Sequence, residues 1–157
     1  MRTEHTSQAD TVDPSWRVGI VHSSLYEEEI AALVDSARHA LIDGGLKSQN
    51  ITEHPVAGSF EIPLIGCILA REKNVDALIG MGIIVEGETH HAELLARETA
   101  RGIMDVQIRY GIPFAFEVLY VKDLSQAKTR SRGVDNKGGE AARAVLYSLA
   151  EISKLRC

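Results

Sequence analysis

The chain has 157 residues, 45% of them hydrophobic and 25% charged, with a net charge of −5 at neutral pH. That is the length and core-forming content of one globular domain, and the negative balance excludes a general nucleic-acid binder. No apolar run approaches the ~20 residues of a membrane span, no apolar leader marks a secretory signal, and two cysteines cannot build a disulfide framework, so a cytoplasmic setting is expected.

Residues 1–15 are polar and read as a flexible tail, with residues 16–157 as a single domain. The first strand is predicted from Trp16 to His22, and Ser23-Ser24 ends it. Ile30, Leu33, Val34, Ala37 and Leu41 then recur at helical spacing until Gly44-Gly45 stops the helix. Ile51 to Val56 reads as a weaker strand, and Pro55 points to an edge position. Ala57-Gly58-Ser59 turns into a second helix whose first turn tolerates Pro63.

The continuous apolar run from Val75 to Val85 predicts a strand buried on both faces. A polar turn, Glu86-Gly87-Glu88-Thr89, leads from it into a helix that closes at Gly111. Pro113 to Tyr120 supplies a fourth strand, Asp123 to about Arg130 a short helix, and Asn136 onward a last helix. Alternating strands and helices with right-handed crossovers predict an α/β protein, a mainly parallel four-stranded sheet with helices on both faces.

Familiar nucleotide signatures are missing. Gly80-Met81-Gly82 lies inside the strand and is followed by Val85 where a dinucleotide fingerprint wants glycine, and no Walker-type lysine follows a glycine-rich loop. The first strand also lacks the aspartate of a phosphoacceptor domain.

Gly87, Glu88 and Thr89 sit where a strand's carboxyl end meets a helix's amino end, a place that collects anionic ligands. The same residues also make an ordinary helix start. His90-His91 adds imidazoles suited to proton transfer. Zinc binding is disfavoured, since His91 and Glu93 lie on different helix faces and no further ligand pattern completes them. Gly58-Ser59-Phe60-Glu61 reaches the same sheet end and can offer N–H donors and a carboxylate to a polyol or an amide-like ring, or simply cap a helix. Arg130, Arg132 and Lys137 are either solvated charges or local phosphate partners in a chain of negative net charge.

These stretches together resemble the 6,7-dimethyl-8-ribityllumazine synthase family of riboflavin biosynthesis. The landmarks are Ala57-Gly58-Ser59-Phe60-Glu61-Ile62-Pro63, Gly82 through His91, Ile112-Pro113 through Phe116, and Asn136-Lys137-Gly138 with Glu140-Ala141-Ala142. The resemblance implies a three-layer α/β/α sandwich around a flavodoxin-like sheet. It implies a cofactor-free transferase condensing 5-amino-6-(D-ribitylamino)uracil with 3,4-dihydroxy-2-butanone 4-phosphate, releasing phosphate and water. It assigns Gly87, Glu88 and Thr89 to the phosphate and His91 to proton shuttling. Ser59, Phe60 and Glu61 would position the ribityl chain, with Ile83 and Ile84 lining the pyrimidine pocket. Phe116, Arg130 and Lys137 would reach in from a neighbouring subunit, so the site would be shared within pentamers. Riboflavin synthase is admitted as a further partner, whereas nucleic acid, membrane and metal are not.

The chain departs from the family at several places. Leu25, followed by Tyr26, stands where an aromatic residue usually stacks on the pyrimidine. His90 occupies a position that is commonly proline, and Ala57 replaces the usual proline. Glu86 takes an often basic place and Glu117 an often glycine one. The segment from Ser131 to Asp135 is short, which leaves Arg132 as the alternative to Arg130. Two other functions fit the same residues: a non-catalytic flavin- or lumazine-binding assembly protein, and a riboflavin synthase of the same fold.

Overall fold

The computed structural model describes residues 11–156. Four strands, β1 (Val18–Ser23), β2 (Ile51–Val56), β3 (Ala77–Val85) and β4 (Phe114–Val121), form one sheet in the order β2-β1-β3-β4. All three pairings are parallel. The helices are α1 (Glu27–Asp43), α2 (Ile62–Arg71), α3 (His91–Tyr110), α4 (Leu124–Arg130) and α5 (Lys137–Leu155). One core on the sheet joins Ile30, Leu33 and Leu41 of α1 to Val145, Leu146 and Leu149 of α5. The other joins Ile62 of α2 to Ala96, Ile103 and Val106 of α3. The expected three-layer α/β/α sandwich is therefore the observed architecture.

The strands end where the sequence places them to within two residues, because each limit is chemical. β3 is apolar throughout and almost wholly buried, as a strand covered on both faces must be. β2 alternates less strictly and carries Pro55, and it lies at the outside of the sheet with β1 as its one partner strand. Gly111, with φ 62°, closes α3 in the left-handed conformation that favours glycine. Pro63 sits in the first turn of α2, where its missing N–H costs nothing.

The polar stretch expected as a tail over 1–15 is described only from residue 11, and residues 1–10 and Cys157 lie outside the described part. Val12 packs against the α1–α5 core, and the Asn50 side-chain amide donates to the Pro14 carbonyl at 3.1 Å. No helix among the described residues is long and apolar enough to cross a membrane.

This topology sets apart the carboxyl end of the sheet. From β1 the chain moves outward to β2, then crosses back so that β3 lies on the other side of β1. The direction of winding reverses there, which leaves a crevice outside the carboxyl ends of β1 and β3. Helix α5 is held against α1 at a point where Gly138 meets the Leu33 carbonyl so closely that a Cβ would overlap the oxygen. Main chain cannot swing aside as a side chain can. Gly138→Ala is expected to lower stability by about 1–3 kcal/mol through overpacking, read as a lower midpoint in urea denaturation. An unchanged midpoint would show that the two helices can separate freely.

Candidate active site

Three loops leave the carboxyl ends of β1, β2 and β3. After β1, the Ser23 hydroxyl accepts the Leu25 N–H at 3.0 Å, and Tyr26 adopts a left-handed conformation (φ 55°, ψ 54°) before α1 begins. For a bulky residue that conformation is disfavoured. It delivers Leu25 outward, 56% exposed, over the β2–α2 turn, where its Cδ1 lies 3.8 Å from the place a Cβ on Gly58 would occupy.

After β2, a single 3₁₀ turn (Ser59–Glu61) precedes α2. Glu61 reaches back and its Oε2 accepts the Gly58 N–H at 2.9 Å, closing the turn as a capping box does. Ser59 is buried at 6% exposure because its hydroxyl lies directly on Gly82 of β3, where a Cβ would overlap Ser59 Oγ. Phe60, between them, is pushed out to 57% exposure.

After β3, Glu86, Gly87, Glu88 and Thr89 are all exposed. The Thr89 hydroxyl accepts the His91 N–H at 3.4 Å at the start of α3. The two histidines separate cleanly. His90 Nδ1 lies 3.7 Å from Glu93, a carboxylate that also takes Arg97 at 2.8 Å. The exposed His91 imidazole has no hydrogen bond or ion pair among the described residues. Ile83 and Ile84 are buried on opposite faces of the sheet, one in each core. Their side chains are taken up by packing, and their main chain is what they offer to a ligand.

The remaining predicted residues stand on the far edge. Phe116 is half-exposed on β4, in register with Gly80. Arg130 ends α4, and its guanidinium donates within that helix to the Gln126 carbonyl at 3.1 Å. Arg132 instead pairs with Glu28 of α1 at 2.8 Å. Lys137 opens α5 and pairs with Glu140 at 2.6 Å. No hydrogen bond or ion pair among the described residues joins Arg130 or Lys137 to the loops after β1, β2 and β3. A cleft of about 380 Å³ between α1 and β2, lined by His22, Ser24, Glu27, Arg38 and Glu53, holds none of the predicted residues. A hollow of about 450 Å³ beside β2 includes Glu61 alone of them. One copy of the chain thus presents the predicted residues as two separate groups.

Two residues with no role assigned from sequence stand out. Glu117 faces α5, and burial, followed by the nearby Glu140 carboxylate, pushes it from the ordinary 4.5 to about 7, against the opposing pull of Lys137. Strand alternation is the signal for it, since Ala115, Leu119 and Val121 share its face. Asn136 is the other: its side chain caps α5, as an asparagine ahead of a helix tends to.

A model of the 6,7-dimethyl-8-ribityllumazine synthase family matches residues 15–153. The chain belongs to that family. The lumazine synthase of Ruthia magnifica subsp. Calyptogena magnifica is 35% identical over 139 residues, covering 85% of this chain and 83% of that protein. The lumazine synthase of Xylella fastidiosa (strain M12) is 37% identical over 125 residues, covering 79% and 81%. Among solved structures, the RadB recombinase aligns at 11% identity over 81% of this chain and 60% of its own, with a TM-score of 0.39, too loose to argue from. Lumazine synthases are transferases of riboflavin biosynthesis, so the chain is an enzyme of that class, and the expectation from sequence holds.

Glu117 gives this lumazine synthase family member a testable pH response. Its folded value lies above the ordinary one, so its protonated form is the one the fold favours. That contribution is fully present below about pH 4.5 and is lost as pH rises through about 7. Urea midpoints measured across this range should fall with pH in the wild type, and Glu117→Gln should flatten the fall and be the more stable protein above pH 7. Parallel profiles for the two proteins would rule out the buried carboxyl.

Proposed function

We propose that the chain condenses 5-amino-6-(D-ribitylamino)uracil with 3,4-dihydroxy-2-butanone 4-phosphate to form 6,7-dimethyl-8-ribityllumazine. The observation that carries the reading is the placement of the Gly87–Thr89 turn and the unpaired His91 at the start of α3, outside the sheet's switch point, in a chain of this family. A turn with exposed backbone N–H groups at a helix N-terminus suits a phosphate. His91 is within one residue of that turn and free to move protons as the aromatic amine adds to the ketone, water and phosphate leave, and the ring closes. Much of the remaining acceleration would come from holding two substrates in one place.

Ser59, Phe60 and Glu61 would hold the ribityl chain beside the main chain of Ile83 and Ile84, with Leu25 and Tyr26 over the pyrimidine. The separation of Phe116, Arg130 and Lys137 from these loops supports a site completed by a second copy, hence a homo-oligomer, read as a pentamer or an assembly of pentamers. Arg130 suits the phosphate better than Arg132, because Arg132 is already committed to Glu28. The reading is of a cytoplasmic enzyme working without a cofactor.

Purified protein mixed with both substrates should form the lumazine, followed by its absorbance and fluorescence. His91→Ala is expected to slow turnover by about 10²-fold, within the range of general acid–base catalysis, with the oligomer intact by light scattering. Arg130→Ala should raise KM for the phosphate substrate about tenfold, the loss of one charge-assisted bond. No product, together with tight lumazine binding, would overturn the reading in favour of a binding protein.

Leu25 lacks the π-face of an aromatic residue at this place. Leu25→Phe is expected to tighten pyrimidine binding by up to ~1–3 kcal/mol, the usual gain from stacking an aromatic side chain on a base. Calorimetric titration of the pyrimidine substrate into both proteins measures it, and equal affinities would show that stacking plays no part here.

A further inference from the structure

Asn136 separates the two cations assigned to the neighbouring site, and its side chain is the most heavily bonded in that region. Oδ1 accepts the Gly138 N–H at 2.8 Å. Nδ2 donates twice, to the Ser131 carbonyl at 2.6 Å and to the Ala32 carbonyl at 3.1 Å. Ser131 is the residue that follows Arg130 at the end of α4. Gly138 is the residue that follows Lys137 at the start of α5. Ala32 lies in α1, 104 residues earlier. One amide therefore ties together the end of one helix, the beginning of the next and the helix beneath both.

The surroundings make that tie specific. Two donors and one acceptor on a short stem describe asparagine and no other side chain of its size. Aspartate would set a carboxylate against two carbonyl oxygens. Ser131 is fully buried and donates its hydroxyl to the Lys128 carbonyl, so its main chain is fixed from both sides. The Arg130 side chain, in contrast, is bonded among the described residues only within α4. Its direction in space follows from where that helix ends.

We propose that Asn136 is a positioning residue that sets the spacing of Arg130 and Lys137 by bridging Ser131, Gly138 and Ala32. The inference rests on the reading of Arg130 and Lys137 as substrate-binding cations. It assigns Asn136 no contact with substrate. Its effect travels through the ends of α4 and α5.

Asn136→Ser tests this selectively, since serine keeps an oxygen able to cap Gly138 but loses both amide N–H donors, and its single, shorter hydroxyl cannot bridge the Ser131 and Ala32 carbonyls together. Kinetics with both substrates would be measured for wild type, Asn136→Ser, Arg130→Ala and the double variant. Asn136→Ser is expected to raise KM for the phosphate substrate about five- to tenfold while leaving KM for the pyrimidine within about twofold, as two lost hydrogen bonds would. Because it acts through Arg130 and Lys137, its effect and that of Arg130→Ala should combine in the double variant to clearly less than their sum. No rise, equal rises in both KM values, or additive effects in the double variant would each overturn it. Asn136→Gln keeps every polar group but displaces them by one methylene. It should give the same selective rise, and serves if the serine variant does not fold. A wild type that makes no product sinks the proposed reaction instead. Calorimetric titration of inorganic phosphate then decides the present inference, supported by weaker binding in Asn136→Ser and overturned by equal binding.

Discussion

The contact between Ser59 and Gly82 governs the carboxyl end of the sheet. Ser59 Oγ occupies the space a side chain on Gly82 would fill, so the β2–α2 turn rests directly on β3. Removing the Cβ from one strand position lets two segments approach that otherwise stand a side chain apart. Glu61 then closes the turn through the Gly58 N–H, and Ile62, fully buried behind it, anchors α2 in the core. Phe60 has no room inward and faces solvent. Loops separated by more than twenty residues of chain are thereby brought to one end of one strand.

That arrangement decides which groups are left for chemistry. β3 is covered on both faces, so its side chains are spent on packing and its main chain alone is offered to a ligand. Polar chemistry must come from the loops, where Glu86 to Thr89 and His91 lie in solvent. The edge formed by β4, α4 and α5 is organised differently. Phe116 and Glu117 face opposite sides of one strand, and the cations stand on the two helices that follow. A site needing both regions is most simply completed by a second copy of the chain, an arrangement in which assembly and catalysis depend on the same surface.

Much of this was legible in the sequence because local chemistry fixes it. The continuous apolar run of β3, Pro55 at an edge strand, Pro63 in a first helical turn and Gly111 after α3 each have one economical explanation, and the structure adopts it. The loop residues were legible for the same reason: strand end, polar turn and helix start are adjacent in the chain. What could not be read depends on partners far away in sequence. Nothing near Tyr26 announces its left-handed backbone, which follows from how β1 hands over to α1. Alternation marks Glu117 as inward-facing, but the upward shift in its pKa comes from the depth of its burial and from Glu140 on a distant helix, against the opposing pull of Lys137. The last helix was placed from about Asn136, and that side chain caps it, yet its bond to Ala32 spans 104 residues and no local pattern could reveal it.

The electrostatics explain why such a tie matters. With a net charge of −5, the chain has no general field to draw in an anionic substrate. The start of α1 is itself acidic, with Glu27, Glu28 and Glu29 in its first turn. Of the three cations considered for the phosphate, Arg132 is paired with Glu28 and Lys137 with Glu140. Among the described residues, the Arg130 guanidinium bonds only to a helix carbonyl. On the proposed reading, attraction for a phosphate would then come from a small number of accurately placed donors, because a guanidinium displaced by an ångström or two loses the paired geometry on which charge-assisted binding depends. A basic protein could tolerate looseness in its helix ends. On the proposed reading, an acidic chain needs the placement of Arg130 built into the fold, and the bonds at Asn136 are where the fold would provide for it.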